Sequence, residues 1–309
     1  MIVIVGGTSS LGVNVTPLLL ARAHTVRVMT RDPARATSLA ACGAEIVRGD
    51  LRDVDSVRNA VRGARVVISS SHAMIGGRQN SSAIVDDAGQ RALIAVAREC
   101  GVSHFIYVSA KGAAADHPLD FFRTKHRIET LLRESGLTYT ILQPSAFLEL
   151  HAYALIGKSV LQGKRVAMFG PGTNRKNFMA TRDVAQFIVR SLDDTAMHNS
   201  TIELGGPEDL SSHDVVRVFE RLSGKTATVM HVPLWLLRIL APVIKPFHGG
   251  VSRVLRGAIL AEQTDQTCDA AGVAQKYSVR LTTLEEWARA HCELPRTPDS
   301  PLRRSAAAT

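Results

Sequence analysis

Apolar and polar positions in the first half of the chain switch repeatedly between a short-run pattern and a helical one. Met1 to Val5 is a continuous apolar run of mostly β-branched residues, as in a parallel strand covered by helices on both faces. It runs into Gly6-Gly7-Thr8-Ser9-Ser10-Leu11-Gly12, and apolar residues at helical spacing follow from Leu11 to Ala23, with Ser9 or Ser10 available as a cap and Pro17 expected to bend the helix. Further strands are predicted at Thr25–Met29, Ala44–Val47, Arg65–Ser69, His104–Val108 and Thr138–Leu142. Helices are predicted at Val54–Val61, Ser82–Glu99 and Leu119–Ser135, the last two closed by Gly101 and Gly136. Six strands joined by helical crossovers make an α/β fold, a Rossmann-type doubly wound parallel sheet.

Beyond about residue 147 the pattern loosens. Short strands are expected at Arg165–Phe169 and Thr201–Leu204, and helices at Asp183–Leu192, Ser211–Leu222 and Thr283–Ala290, with Asp183 and Ser211 as N-caps. The expected division is a dinucleotide-binding domain over 1–150, a smaller C-terminal substrate lobe over 151–295, and a disordered tail over 296–309, rich in Pro, Ser, Arg and Ala. Val232 to Phe247 is the most apolar run outside the sheet. Arg238, Lys245 and three prolines interrupt it, so it is no membrane span; it packs as a lid or core helix, or lies in a lipid interface through 234–247. The packed reading is the expected one.

The glycine turn aims backbone N–H groups and a helix N-terminus at one point, which suits a phosphate. In such folds the residue about 20 positions beyond the glycines selects the cofactor, an acid for NAD and an arginine for the 2′-phosphate of NADP. Thr30 and Arg31 stand there; Asp32 precedes Pro33 and is read as a helix cap, so Arg31 points to NADP. The four cysteines form no C-x-x-C pair, which fits reduced thiols in a cytoplasmic protein, and no histidine spacing suggests a metal. Net charge is +9, but Lys and Arg are spread along the chain and aromatics are 5%, so a solvated basic surface is expected rather than nucleic-acid binding.

The glycine turn, Arg31, Gly49-Asp50-Leu51, Tyr107-Val108-Ser109-Ala110, Thr124-Lys125 with Glu129, and Tyr139-Thr140-Ile141-Leu142-Gln143-Pro144 occur in an order that resembles the atypical short-chain dehydrogenase/reductases of the NmrA-like, NAD(P)H-binding group. The resemblance covers roughly the first 190 residues. It implies that Gly6, Thr8, Ser9, Ser10, Leu11 and Gly12 hold the pyrophosphate, Asp50 and Leu51 flank the adenine, Ser69 and Ser70 meet the cofactor ribose, and Gln143, Pro144 and Ser145 meet the nicotinamide end.

The departures bear on mechanism. Ser9 replaces the family's middle glycine, and either substitutes its hydroxyl or holds the cofactor less closely. The usual Tyr four residues before the Lys is Phe121, and the assisting serine is Ala110, so Lys125 alone remains of the catalytic set. Without that acid, reduction of simple ketones is disfavoured. Acceptors needing no strong acid remain: quinones, imines or cationic dyes, and activated alkenes. Lys125 would orient the nicotinamide ribose and donate a proton if burial lowers its pKa, with His72, Phe121, Phe147 and His151 lining the substrate. The competing readings are a non-catalytic NADP sensor and a peripheral membrane assembly factor. Nothing in the sequence sets the oligomeric state.

Overall fold

Side chains of a strand alternate between the two faces of a sheet, and strand β1 (Ile2–Val5) shows what this does here. Ile2 and Ile4 enter one apolar layer, Val3 and Val5 the opposite one. Both layers are dry, so every residue of the strand is buried and the run is apolar throughout. The computed structural model describes residues 1–76 and 80–292; the tail expected over 296–309 lies outside the described residues.

The chain continues through α1 (Gly12–Ala21), β2 (Val26–Thr30), α2 (Thr37–Ala41), β3 (Glu45–Arg48), α3 (Val54–Val61) and β4 (Val66–Ser69). A π-helical stretch, Ala83–Gly89, then leads into α4 (Gln90–Glu99), followed by β5 (His104–Val108), α5 (Asp120–Arg133) and β6 (Thr138–Pro144). Next come β7 (Ala146–Phe147), a second π-helical stretch at Glu149–Gly157, α6 (Lys158–Leu161), β8 (Val166–Phe169) and β9 (Lys176–Met179). The remainder comprises α7 (Thr181–Asp193), β10 (Ser200–Leu204), β11 (Asp209–Leu210), α8 (Ser212–Ser223), β12 (Val229–Val232), α9 (Leu234–Ile244), α10 (Gly249–Ala261), α11 (Ala271–Lys276) and α12 (Leu284–His291).

The main sheet has seven parallel strands in the order β10-β6-β5-β4-β1-β2-β3. The order reverses between β1 and β4, and in open α/β sheets the ligand crevice lies outside the carboxyl ends of the strands at that point. The Rossmann-type fold is therefore as expected, with one strand more. The segment around 201–204, expected in the C-terminal lobe, pairs with β6 as the sheet's edge, and α7 packs on α1. These four-to-five-residue strands carry the same local signal in either place; only the partner decides which sheet they join. The rest of the second half builds two small sheets, β11-β9-β7 and β12-β8, around a third apolar cluster centred on Phe219, Trp287 and Leu148.

Local capping follows the sequence in most places. Asp32 accepts from the Ala34 N–H ahead of a short 3-10 turn, and Ser211 and Thr283 open α8 and α12 with reciprocal capping boxes. Asp183 does not cap α7. It sits inside the first turn, fully buried, and its carboxylate accepts from the Thr282 N–H (2.7 Å) and hydroxyl (2.8 Å), tying the helix to the C-terminal segment. Pro17 stays within α1, which ends two residues earlier than the pattern suggests. Among the described residues no helix is long and apolar enough to cross a membrane.

Candidate functional site

The glycine turn is shaped by three close approaches. Gly6 has φ +93°, and a Cβ there would lie 2.9 Å from both the Ser70 hydroxyl and the Ser71 amide. At Gly12 a Cβ would stand 2.3 Å from the Gly7 carbonyl oxygen, so the turn folds back directly onto the start of α1. Ser9 uses its hydroxyl locally, accepting from the Gly12 N–H at 3.2 Å. The N–H groups of Gly7, Thr8, Ser10 and Leu11 have no acceptor among the described residues. Four free amides at a helix N-terminus in the crevice form an anion cradle. The Leu11 side chain itself is buried in the core, so it contributes only main chain.

Beside this cradle, exposed Arg31 leaves β2 and donates to the Asn80 side chain at 2.9 Å. Asp50 is held by Arg52 in a forked pair, with Nε 3.0 Å from each carboxylate oxygen. Arg52 chiefly, opposed by partial burial and aided by the more distant Arg31, holds the Asp50 carboxyl below its ordinary pKa. Arg52 is absent from the residues expected from the sequence; it is a second cation beside Asp50, which also feels the Arg31 charge. Leu51 is buried in the core, facing Gly89, rather than lying open to an adenine.

Several expected contacts turn inward. The Ser69 hydroxyl donates to Gln90 Oε1 (2.8 Å), and Ser70 Oγ lies 3.4 Å from the Val5 carbonyl. Gln143 donates to Glu129 (2.7 Å), Ser145 to Asn177 (2.8 Å), and Pro144 is buried with its carbonyl bound by the Lys111 N–H. Buried polar groups need partners, and these side chains have found theirs within the protein. Each is thus engaged inside the protein, with the second Gln143 amide N–H left without an acceptor among the described residues. Phe147, expected to line the substrate, packs against the apolar core, and its carbonyl lies 3.1 Å from His151 Nδ1.

Lys125 is the buried cation of this group. It is 3% exposed, and its ammonium has one hydrogen-bond acceptor among the described residues, the Val108 carbonyl at 2.9 Å. It lies over the Tyr107 ring (4.7 Å to the centroid) and near that of Phe121 (5.7 Å). Burial lowers its pKa from 10.5 to about 8, with the Asp86 and Glu129 carboxylates opposing. His72 packs edge-on against Phe121 at 6.2 Å. The residue is exposed, with protein packed around its imidazole. Loss of hydration and then the Lys125 charge push its pKa down, against the pull of Asp86. His151 is also lowered, by burial first. His72, Phe121, Lys125 and His151 are thus brought together.

Two carboxylates that the sequence reading left without a role organise this group. Asp86, from the π-helical stretch, accepts from the Ala73 N–H (2.7 Å) and the Ser82 hydroxyl (2.6 Å), fixing the loop that carries His72. Glu129 binds Ser109, Gln143 and Arg133 at once. The signal for Glu129 was present: Phe121, Thr124, Lys125, Ile128, Glu129 and Leu132 form the buried stripe of α5, and two charges in such a stripe need a reason. A cavity of about 630 Å³ lies elsewhere, on the outer face of α1 and α7, and holds none of these groups.

The residues present fit NADP(H): free amides for the pyrophosphate, two arginines beside the β2 exit, and a buried lysine beyond the β5 end. Comparison with known proteins supports the same cofactor. The chain is 32% identical to the photosystem II assembly factor Ycf39 of Cyanophora paradoxa, over 77% of this chain and 73% of that protein. It is 28% identical to the NAD(P)H azoreductase of Xenophilus azovorans, over 76% of this chain and 78% of that protein. In structure it resembles the NADPH-dependent quinone oxidoreductase QOR2 of Escherichia coli in complex with NADPH, with a TM-score of 0.75 and 22% identity, covering 94% of this chain and 99% of that one. Residues 1–288 match the NmrA-like family, and the chain belongs to it.

Proposed function

We propose that this protein is an NADPH-dependent reductase of apolar, electrophilic small molecules of the quinone, imine or activated-alkene type. The carrying observation is Lys125: a buried amine titrating at about 8, with one acceptor among the described residues, between the dinucleotide crevice and the aromatic wall of Phe121 and Tyr107. The names of two similar proteins, an azoreductase and a quinone oxidoreductase, support the same reading.

NADPH, when bound, supplies a hydride to the acceptor. The free amides of Gly7, Thr8, Ser10 and Leu11 would hold its pyrophosphate, and Arg31 with Arg52 its 2′-phosphate. Reduction of a quinone or imine also takes up a proton. Lys125 supplies it: with a pKa close to working pH the amine is charged often enough to donate and recovers its proton from water. Phe121 cannot donate and instead gives an apolar surface to the acceptor. His72, shifted toward its neutral form, leaves that surface uncharged.

The test is NADPH oxidation against a panel of quinones, azo dyes and imines. Turnover is expected with at least one class, reduced about 10²-fold or more in Lys125→Ala, and Arg31→Ala should raise KM for NADPH more than for NADH. A second reading, an NADP(H)-holding assembly or sensor protein, is favoured by Phe121 and Ala110 in place of the acid pair and by the relatives named as assembly factors. Equal binding of both redox states with no acceptor consumed would establish it instead.

A further inference from the structure

The α9–α10 hairpin leaves open a face that no function above uses. Leu237 and Ala241 are buried on one side of α9, as an amphipathic helix requires. Its other side exposes Trp235 (61%), Ile239 and Val243 at i, i+4 and i+8, and the chain leaves the helix at Phe247, which is 87% exposed. A lid or core helix would cover this ridge, so the packed role expected for Val232–Phe247 holds for one face only. Arg238 and Lys245 run alongside, seven residues apart on the helix flank, and neither has a salt bridge or a side-chain hydrogen bond among the described residues. No Asp or Glu occurs between Glu220 and Glu262. The exposed ridge is therefore apolar and aromatic, flanked by cations, and free of carboxylates along its own segment.

We infer that this face docks the protein on an anionic lipid surface. Exposed Trp and Phe with flanking Lys and Arg match the interfacial zone of a bilayer, where rings sit at headgroup level and cations meet anionic lipids. A second copy of the chain is disfavoured by charge: two such faces would bring Arg238 and Lys245 against their own kind. The hairpin also adjoins the site. Arg253 of α10 forks onto Asp120 at the start of α5 (2.8 and 2.9 Å) and donates to the Met74 carbonyl (2.6 Å) in the loop that carries His72. The docking element is thus tied through α10 to the helix that carries Phe121 and Lys125 and to the loop that carries His72.

The chain has two tryptophans, and Trp287 is 6% exposed, so a change in emission on adding vesicles reports Trp235. The full chain with NADPH is mixed with phosphatidylcholine vesicles with and without phosphatidylglycerol. Sedimentation with the anionic vesicles is expected, weakened by salt, together with a blue shift. Trp235→Ser with Phe247→Ser, and separately Arg238→Glu with Lys245→Glu, should each weaken binding about tenfold or more. Turnover of a water-soluble acceptor and the melting temperature should stay unchanged. The proposal falls if anionic vesicles are not bound at low salt, or if the substitutions leave binding intact. It falls equally if they abolish a concentration-dependent dimer in sedimentation velocity, which would make the face a self-interface. The vesicle, emission and sedimentation outcomes are the same whichever acceptor, if any, the protein reduces, and the melting temperature is the control if it reduces none.

Discussion

Replacing Lys125 with methionine should remove the proposed catalytic amine and at the same time stabilise the fold at neutral pH. The side chain is buried, and burial depresses its pKa from 10.5 to about 8. Below pH 8 the amine carries its proton in both folded and unfolded chains, and the folded state bears the full cost of a poorly hydrated charge. Between pH 8 and 10.5 the unfolded chain binds more protons than the folded one, so stability rises with pH across that window. The gap from about 8 to 10.5 corresponds to about 3.4 kcal/mol at roughly 1.36 kcal/mol per pH unit. Methionine has similar length and no charge, so it recovers that cost at pH 7 less about 1 kcal/mol for the lost bond to the Val108 carbonyl. A net gain of about 2 kcal/mol is expected. Denaturant melts of both proteins without cofactor, from pH 7 to 11, give the difference directly and cancel the groups that the Lys125 charge does not touch; His72, which it does, titrates below this window. The advantage of the variant should shrink from pH 8 upward and vanish or reverse near 10.5. A variant less stable at pH 7, or a difference flat across the window, would refute the placement of a strained, charged lysine in this site.

Two further outcomes test the crevice and the far end of the sheet. Gly12→Ala puts a methyl 2.3 Å from the Gly7 carbonyl and should cost about 2 kcal/mol or more of stability, with loss of NADPH binding by calorimetry. His104 has its pKa lowered to about 4, by burial and then by His198. The unfolded chain therefore binds more protons between pH 6.5 and 4, and stability from this group is lost as pH falls through that range, by about 3.4 kcal/mol in all. His104→Gln keeps a donor for Thr140 and should flatten the acid limb of a stability profile measured from pH 7 to 4.

How far the sequence could be read depends on how far each residue's partner lies along the chain. The β1 run, the glycine turn and the Asp32 cap depend on neighbours a few residues away, and all three stand where the pattern put them. Ser69, Gln143 and Ser145 were expected to face a ligand because their positions match a motif. Their partners, Gln90, Glu129 and Asn177, are 21, 14 and 32 residues distant, and no local pattern reports such pairings. Asp183 shows the same limit: its residue type suits an N-cap, but Thr282, 99 residues on, takes the carboxylate.

The sequence by itself determined the alternating strands and helices, the phosphate-shaped turn, and the absence of the usual Tyr and Ser beside Lys125. Each of these is a matter of residue type and short spacing, which backbone sterics and local hydrogen bonds translate directly into structure. Only the tertiary structure decided that β10 joins the main sheet, that Lys125 is stripped of water by Phe121 and Tyr107, that Asp86 holds the His72 loop, and that α9 keeps an apolar face uncovered. Burial and pairing are properties of what the rest of the chain brings alongside, and hydration sets the charge state of a lysine only once that company is in place.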